Sequence, residues 1–484
     1  MPQETQLYRP HDGWFGDVMP IEVDGTFHLF YTFLSKHDLG GPGILKGLDW
    51  AHISTQDFLS FREHPLAIRR GNDKEPDLLA GAGSVVRGDD GTYVAFYCGI
   101  NPARSRHGDA EQVVLRATSK DLDVWTKDEV FVLEADPTWY ERHDWRDPYV
   151  YRDGELWRML LCARVPEGPF DRRGVVGQAT STDLVNWKVR EPFLNPGITQ
   201  APECVEVFEL QGHRYLVYST YSDRFQTRHR IIGPDGTFVR PTHDALETND
   251  VYAMNTIGDA ERRVLVGWLA TRSQDADTGH RQWGGDLVAQ ELRGRTDGTL
   301  GAHPLPGFLE RFGASPAQVR PQLGDWKVDG DIARLVGGAF GWASAGATTD
   351  LSMFEVTVDL DATAEEFGVA IHAGPNFDAA YLLRIEVDRG RVVFDRRPHR
   401  IDVPFDQDSD RSYVSAPDHE LERPLLPADG KLTVRIVVDG SAIVTYLNDV
   451  ALTTRGYDLD GGEFALYGAN GSATFRAARY GSLA

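Results

Sequence analysis

Three short acidic motifs in the first half of the chain carry residue types able to do chemistry. They are Trp14-Phe15-Gly16-Asp17, Trp145-Arg146-Asp147-Pro148 and Pro202-Glu203-Cys204-Val205. Each sets one carboxylate beside an aromatic, a basic or a turn residue. Three carboxylates drawn into one pocket suit cleavage of a glycosidic bond. One attacks the sugar, one holds it, and one passes a proton.

The elements that must position them repeat. An Asp-Gly turn followed by an aromatic-rich alternating strand occurs at Asp24-Gly25, Asp90-Gly91 and Asp153-Gly154, with looser copies at Gln211-Gly212 and near Asp259. Asp-Gly ahead of alternating residues marks a hairpin. A Ser/Thr-x-Asp turn follows each of the first three, with Asp57, Asp121 and Asp183 at its centre. These aspartates are expected to cap turns through nearby backbone N–H groups and not to form a catalytic cluster. The period of roughly 50–65 residues fits one four-stranded sheet per repeat. The fold expected is all-β: a five-bladed β-propeller over 1–310, a linker over 311–324 with a short helix near Phe308 to Gln322, and a C-terminal β-sandwich over 325–484. The innermost strand of each blade lines the central channel. Asp17, Asp147 and Glu203, each just before a hairpin, are therefore expected to converge from matching repeat positions.

Bulk composition narrows the function. With 73 acidic against 50 basic residues the formal charge is -23, which argues against nucleic acid or an anionic membrane as partner. The first eight residues hold no basic stretch and no apolar run, so no signal peptide is expected and a cytoplasmic location is. Cys98, Cys162 and Cys204 each lie in an apolar stretch and are expected to be buried free thiols. No Cys/His group has zinc spacing and no glycine loop cradles phosphate, so neither metal nor cofactor is expected. The partner expected is a small carbohydrate; oligomeric state is left open.

The motifs resemble those of glycoside hydrolase family 32, the β-fructofuranosidases, invertases and levanases. Its motifs run Trp-Met-Asn-Asp-Pro-Asn-Gly, Arg-Asp-Pro and Glu-Cys-Pro. Here Arg146-Asp147-Pro148 matches fully and Glu203-Cys204 lacks the proline; Trp50-Ala51-His52 is similar to the family's Trp-Gly-His. Tyr252-Ala253 and Gly267-Trp268 look similar too. The resemblance implies a five-bladed propeller with a β-sandwich, Asp17 as nucleophile, Glu203 as general acid/base, and Asp147 gripping ring hydroxyls. Arg146 would hold Asp147 charged. The family's Asn before the nucleophile is Gly16, the Gln after the first hairpin strand is Thr32, and Phe-Ser-Gly-Ser has become Gly81-Ala82-Gly83-Ser84. Those replacements concern contacts to the fructosyl unit. In the sandwich, Gly440 and Val444 stand where the family carries Arg and Glu.

Candidate substrate-binding residues are Trp14, Trp50, Ser84, Arg146 and Trp283, with His52 as pocket lining or core. The loop from Asn101 to Asp109, with Arg104, Arg106 and His107, reads as a solvated loop before a phosphosugar site. The function expected is a retaining, exo-acting glycosidase on terminal furanosides, chiefly β-D-fructofuranosides such as sucrose or fructo-oligosaccharides. The rivals are the same fold acting on another furanoside such as an arabinofuranoside, a transglycosylase, and an inactive carbohydrate-binding protein.

Overall fold

Asp24 and Gly25 both take left-handed backbone angles, φ 50° and 73°, and join strand Gly13–Val23 to Thr26–Ser35. That is the two-residue turn whose twist matches the flanking strands, and glycine adopts its second position freely. The structure, a computed structural model, describes residues 7–38, 45–398, 421–427 and 429–483. The segment used to judge a signal peptide lies largely outside these residues.

Hairpins, closed by the same two-residue turn again at Gln211-Gly212 and by other turns elsewhere, build successive antiparallel sheets. The second runs Leu79–Arg87, Tyr93–Ile100, Gln112–Ser119, Trp125–Lys127; the third Trp145–Asp153, Leu156–Arg164, Gly174–Ser181, Trp187–Leu194; the fourth Glu203–Leu210, His213–Thr220, Gln226–Ile232, Phe238–Val239. The fifth begins Val251–Gly258, Arg263–Arg272, Arg281–Gly294. The five first strands touch one another in cyclic order, so each sheet is a blade and the ring is a five-bladed propeller. Phe15 pairs with Gly285 and Tyr8 with Leu287, which joins the first blade to the last and leaves no open gap between ends of the ring.

The Ser/Thr-x-Asp turns behave as expected. Asp57 Oδ1 accepts from the amides of Leu59 and Ser60, Asp121 Oδ1 from Asp123 and Val124, and Asp183 Oδ1 from Val185 and Asn186. Thr55, Ser119 and Ser181 hydroxyls accept from Phe58, Leu122 and Leu184. Each of these three apolar residues is buried and plugs the end of its blade. The local bonds replace ladder bonds that the turn forgoes.

The chain divides into two compact units, Met1–Thr271 with Gln282–Leu300, and Arg272–Arg281 with Gly301–Ala484. The second is a β-sandwich: one antiparallel ladder folded on itself, with Phe354, Val369, Leu383, Ile436 and Leu452 from its two arms in one apolar core. Residues 311–324 hold the end of a 3-10 turn, Leu309–Phe312, then Ser315–Pro316 paired with Tyr480 and Arg479, and the start of strand Arg320–Asp329. Val444 is fully buried against Ala302, Tyr446 and Ala451, so an apolar side chain suits that position.

Candidate active site

Every inner strand of the propeller carries a bulge at the same level. Two residues oppose one: Gly16-Asp17 against Thr32, Gly81-Ala82 against Cys98, Asp147-Pro148 against Leu161, Cys204-Val205 against Tyr218, and Ala253-Met254 against Gly267. A bulge bends its strand and re-aims the side chains around it. Asp147, Cys204 and Ala253, first of their pairs, have φ of 56°, 49° and 51°. Such angles cost a non-glycine residue on the order of 1–3 kcal/mol, and strain of that kind collects where geometry serves function.

The bulges bring the three carboxylates together, but not from identical positions as the repeat suggested. Glu203 is the last residue before its bulge, Asp147 the first within, and Asp17 the second. The motifs are offset because each carboxylate must reach a different point of one pocket.

Polar partners fix all three. The indole N–H of Trp268 donates to Asp17 Oδ1 at 2.9 Å. The amide of Cys204 donates to Asp147 Oδ2 at 3.2 Å. Arg146 donates to Glu203 Oε1 at 2.9 Å, and Tyr252 Oη donates to Glu203 Oε2 at 2.7 Å. Arg146 was expected to serve Asp147; its guanidinium instead bonds Glu203 and Asp144 and stays 4.0 Å from Asp147 Oδ2. The bulge explains this, because left-handed Asp147 turns its carboxyl away from its neighbour and toward the Cys204 amide.

Electrostatics follow from crowding. Burial first, then the charge of Asp147, push Asp17 up from 3.8 to about 7, against the Trp268 hydrogen bond. Burial pushes Asp147 up to about 6, with Arg146 the main opposing influence. Asp17 and Asp147 therefore hold their protons closer to neutrality than ordinary carboxyls do, a perturbation that gathers at functional sites.

Aromatic rings wall the site. Phe225 stacks on Tyr252 at 3.9 Å, Tyr252 meets Trp268 at 5.6 Å, and Trp268 meets Trp283 at 6.0 Å. Trp14 and Trp283 are part-buried and pack on Leu34, Leu48 and Leu79. Trp283 lies so close over Gly16 that a Cβ there would stand 2.3 Å from its ring and 2.4 Å from Thr32 Oγ1. The position is glycine because the tryptophan has taken the space an asparagine side chain would need.

Two expected sugar contacts are relocated by the structure. Trp50 is 0% exposed and gives its indole N–H to the Gly81 carbonyl, so it is core. Ser84 donates to the Pro148 carbonyl and accepts from the Val150 amide, so its proton is committed to linking blades two and three. His52 is likewise buried away from the carboxylates. A cavity of about 420 Å³ lies further along the inner strands, lined by Val18, Ser84, Tyr149, Glu206, Asn255 and Arg263 among others; the three carboxylates do not line it. The three cysteines are free and buried.

Sequence models of the "Glycosyl hydrolases family 32 N-terminal domain" and the "Glycosyl hydrolases family 32 C terminal" match residues 8–304 and 328–480. The chain belongs to glycosyl hydrolase family 32. It is therefore a glycosidase by family. Among family relatives, the sucrose-6-phosphate hydrolase of Escherichia coli is 23% identical over 96% of this chain and 92% of its own length. The raffinose invertase of Escherichia coli is 23% identical over 96% and 91%. The exo-inulinase of Aspergillus awamori shares the fold, with a TM-score of 0.73 at 18% identity over 100% of this chain and 99% of that one. No helix among the described residues is long and apolar enough to cross a membrane.

Trp268, Tyr252 and Asp144 were absent from the expected family 32 site residues. Tyr252 was legible in principle, since it precedes its bulge as Glu203 and Arg146 precede theirs. Trp268 faces Tyr252 across the second strand of blade five, a pairing that sequence spacing does not reveal. Asp144 lies just ahead of the second motif and is held between Arg146 and Arg164.

Proposed function

We propose that this chain is a retaining β-fructofuranosidase that removes terminal fructosyl units from sucrose or short fructans. Asp17 attacks the anomeric carbon while Glu203 gives its proton to the departing glycosidic oxygen, leaving a fructosyl ester on Asp17. Glu203, now a carboxylate, takes a proton from water as that water attacks the same carbon, which frees the sugar with net retention and restores Asp17. Asp147 accepts hydrogen bonds from ring hydroxyls that tighten in the transition state. The aromatic wall of Trp14, Trp283, Trp268 and Phe225 offers apolar faces to the sugar and excludes water.

The observation that carries this reading is the convergence of Asp17, Asp147 and Glu203 at successive bulge positions, tied by Trp268, Arg146 and Tyr252. Similarity to a sucrose-6-phosphate hydrolase, a raffinose invertase and an exo-inulinase supports the glycone and the exo mode. The test is a screen of purified protein against sucrose, sucrose 6-phosphate, inulin- and levan-type oligomers, and aryl fructo- and arabinofuranosides, run beside Glu203→Gln. Turnover of fructosides that collapses in Glu203→Gln supports the reading. Preference for arabinosides moves the glycone, and unchanged turnover in Glu203→Gln removes the assignment.

A further inference from the structure

Away from the carboxylates, blade one gathers His28, His52 and His64, each offering a ring nitrogen within 4.8 Å of the other two. His28 Nδ1 lies 2.9 Å from His52 Nε2, and the rings of His52 and His64 stack at 4.0 Å. Across the blade boundary, Asp123 Oδ1 stands 2.7 Å from His64 Nδ1 and 3.7 Å from His52 Nδ1. His52 is 1% exposed, and its buried Nδ1 has no hydrogen-bond partner.

A bare nitrogen in that setting forfeits about 1–3 kcal/mol if nothing binds it, and native structures seldom leave such groups unmet. Two further imidazoles stand near it with a carboxylate beside them, and His64 Nε2 is steadied by Ser54 Oγ at 2.8 Å; nitrogen donors with one oxygen are a set that zinc-like ions favour over calcium or magnesium. The Asp123 side chain is 44% exposed, which gives an ion a way in. Its backbone is fixed by the Asp121 turn.

We propose that His28, His52, His64 and Asp123 form a site for a divalent transition ion such as Zn(II), with three nitrogen ligands and one oxygen. Four protein ligands leave no open position, so the ion is structural. It clasps blade one to blade two and stabilises the propeller by binding the folded state alone.

The experiment uses full-length protein without an added histidine tag, stripped by chelator. It is titrated with Co(II) as a spectroscopic probe, then with Zn(II) by calorimetry and thermal melting. The expected result is one ion per chain, intense visible bands of a four-coordinate Co(II) centre, their loss on adding equimolar Zn(II), and a higher apparent Tm. His28→Asn and Asp123→Ala should lose the bands and the Tm rise while still hydrolysing substrate. Asp123 sits on an exposed turn, so its variant reports even if a histidine change disturbs the core. Wild type without stoichiometric Co(II) binding, or variants that bind as wild type does, overturns the site and leaves the cluster a proton-sharing group of histidines.

Discussion

Tyr252 places its hydroxyl 2.7 Å from Glu203 Oε2 and donates to it, while Arg146 holds the other oxygen at 2.9 Å. Arg146, Glu203 and Tyr252 are the residues just before the bulge in blades three, four and five. They reach sideways along one tier and fix the carboxyl group from both sides.

Tyr252→Phe keeps the ring stacked on Phe225 and removes only the hydroxyl. It should lower kcat by about ten- to a hundredfold, as expected when one hydrogen bond to a charged group, worth about 1.5–3 kcal/mol, is lost, with little change in KM. Steady-state kinetics on a fructoside checks it; a KM effect alone would make Tyr252 a binding residue.

The nucleophile and the acid/base should separate under rescue. Asp17→Ala and Glu203→Ala should each lose on the order of a thousandfold or more in turnover. Azide should restore Asp17→Ala and give an azido sugar of inverted configuration. Glu203→Ala should still react with substrates whose leaving group needs no proton, and a glycosyl-enzyme should build up on Asp17. Asp147→Asn should lose rate without rescue. Mass spectrometry that places the trapped sugar on Asp147 or Glu203 would sink the role assignment.

Acidic inactivation should come early. Asp17 must be ionised to attack, and its value is pushed up to about 7 with Asp147 at about 6. The acid limb of kcat/KM should therefore fall between pH 6 and 7, since that profile reports the free enzyme. The Trp268 hydrogen bond lowers Asp17, so Trp268→Phe should move the limb to higher pH. A limb near pH 4, or one that Trp268→Phe leaves in place, contradicts this account.

The same raised value affects stability. Folded Asp17 binds its proton more tightly than the unfolded chain, whose ordinary value is 3.8. Its contribution is fully present below that value and is lost as pH rises through about 7. Asp17→Asn removes the loss while keeping an acceptor for Trp268. Thermal melts should show the variant above wild type at pH 8 and level with it near pH 4; a variant that melts lower at both would show that burial is not the cause.

Gly16 is held to its size by rigid neighbours, the Trp283 ring and the Thr32 carbonyl, which lies 2.8 Å from a built Cβ. Gly16→Ala should cost about 1–3 kcal/mol, in the range of overpacking. Adding Trp283→Ala should recover only part of it, because the backbone oxygen remains. Unchanged melting of Gly16→Ala would contradict the close approach.

The propeller was legible because its repeats are local. Asp-Gly turns and Ser/Thr-x-Asp caps lie within a few residues of the strands they end, and each does in space what its spacing implies. The carboxylate trio was legible for the same reason, as short motifs ahead of hairpins. What escaped was lateral. That Arg146 gives its hydrogen bonds to Glu203 and acts on its neighbour Asp147 only through charge, at 4.0 Å, depends on a left-handed residue inside a bulge. Ser84 and Trp50 read as sugar contacts until the adjoining blade took the hydroxyl proton of one and the indole N–H of the other. His28, His52 and His64 sit on separate segments, so no spacing rule joins them.

The five aligned bulges make the pocket a rack of interchangeable sockets. Blades one, three and four each supply their carboxylate from a different one of three successive positions at the bulge. Blade two fills its sockets with Ala80, Gly81 and Ala82, side chains that add no function. New selectivity can be grafted there, one substitution at a time, without touching the groups in blades one, three, four and five.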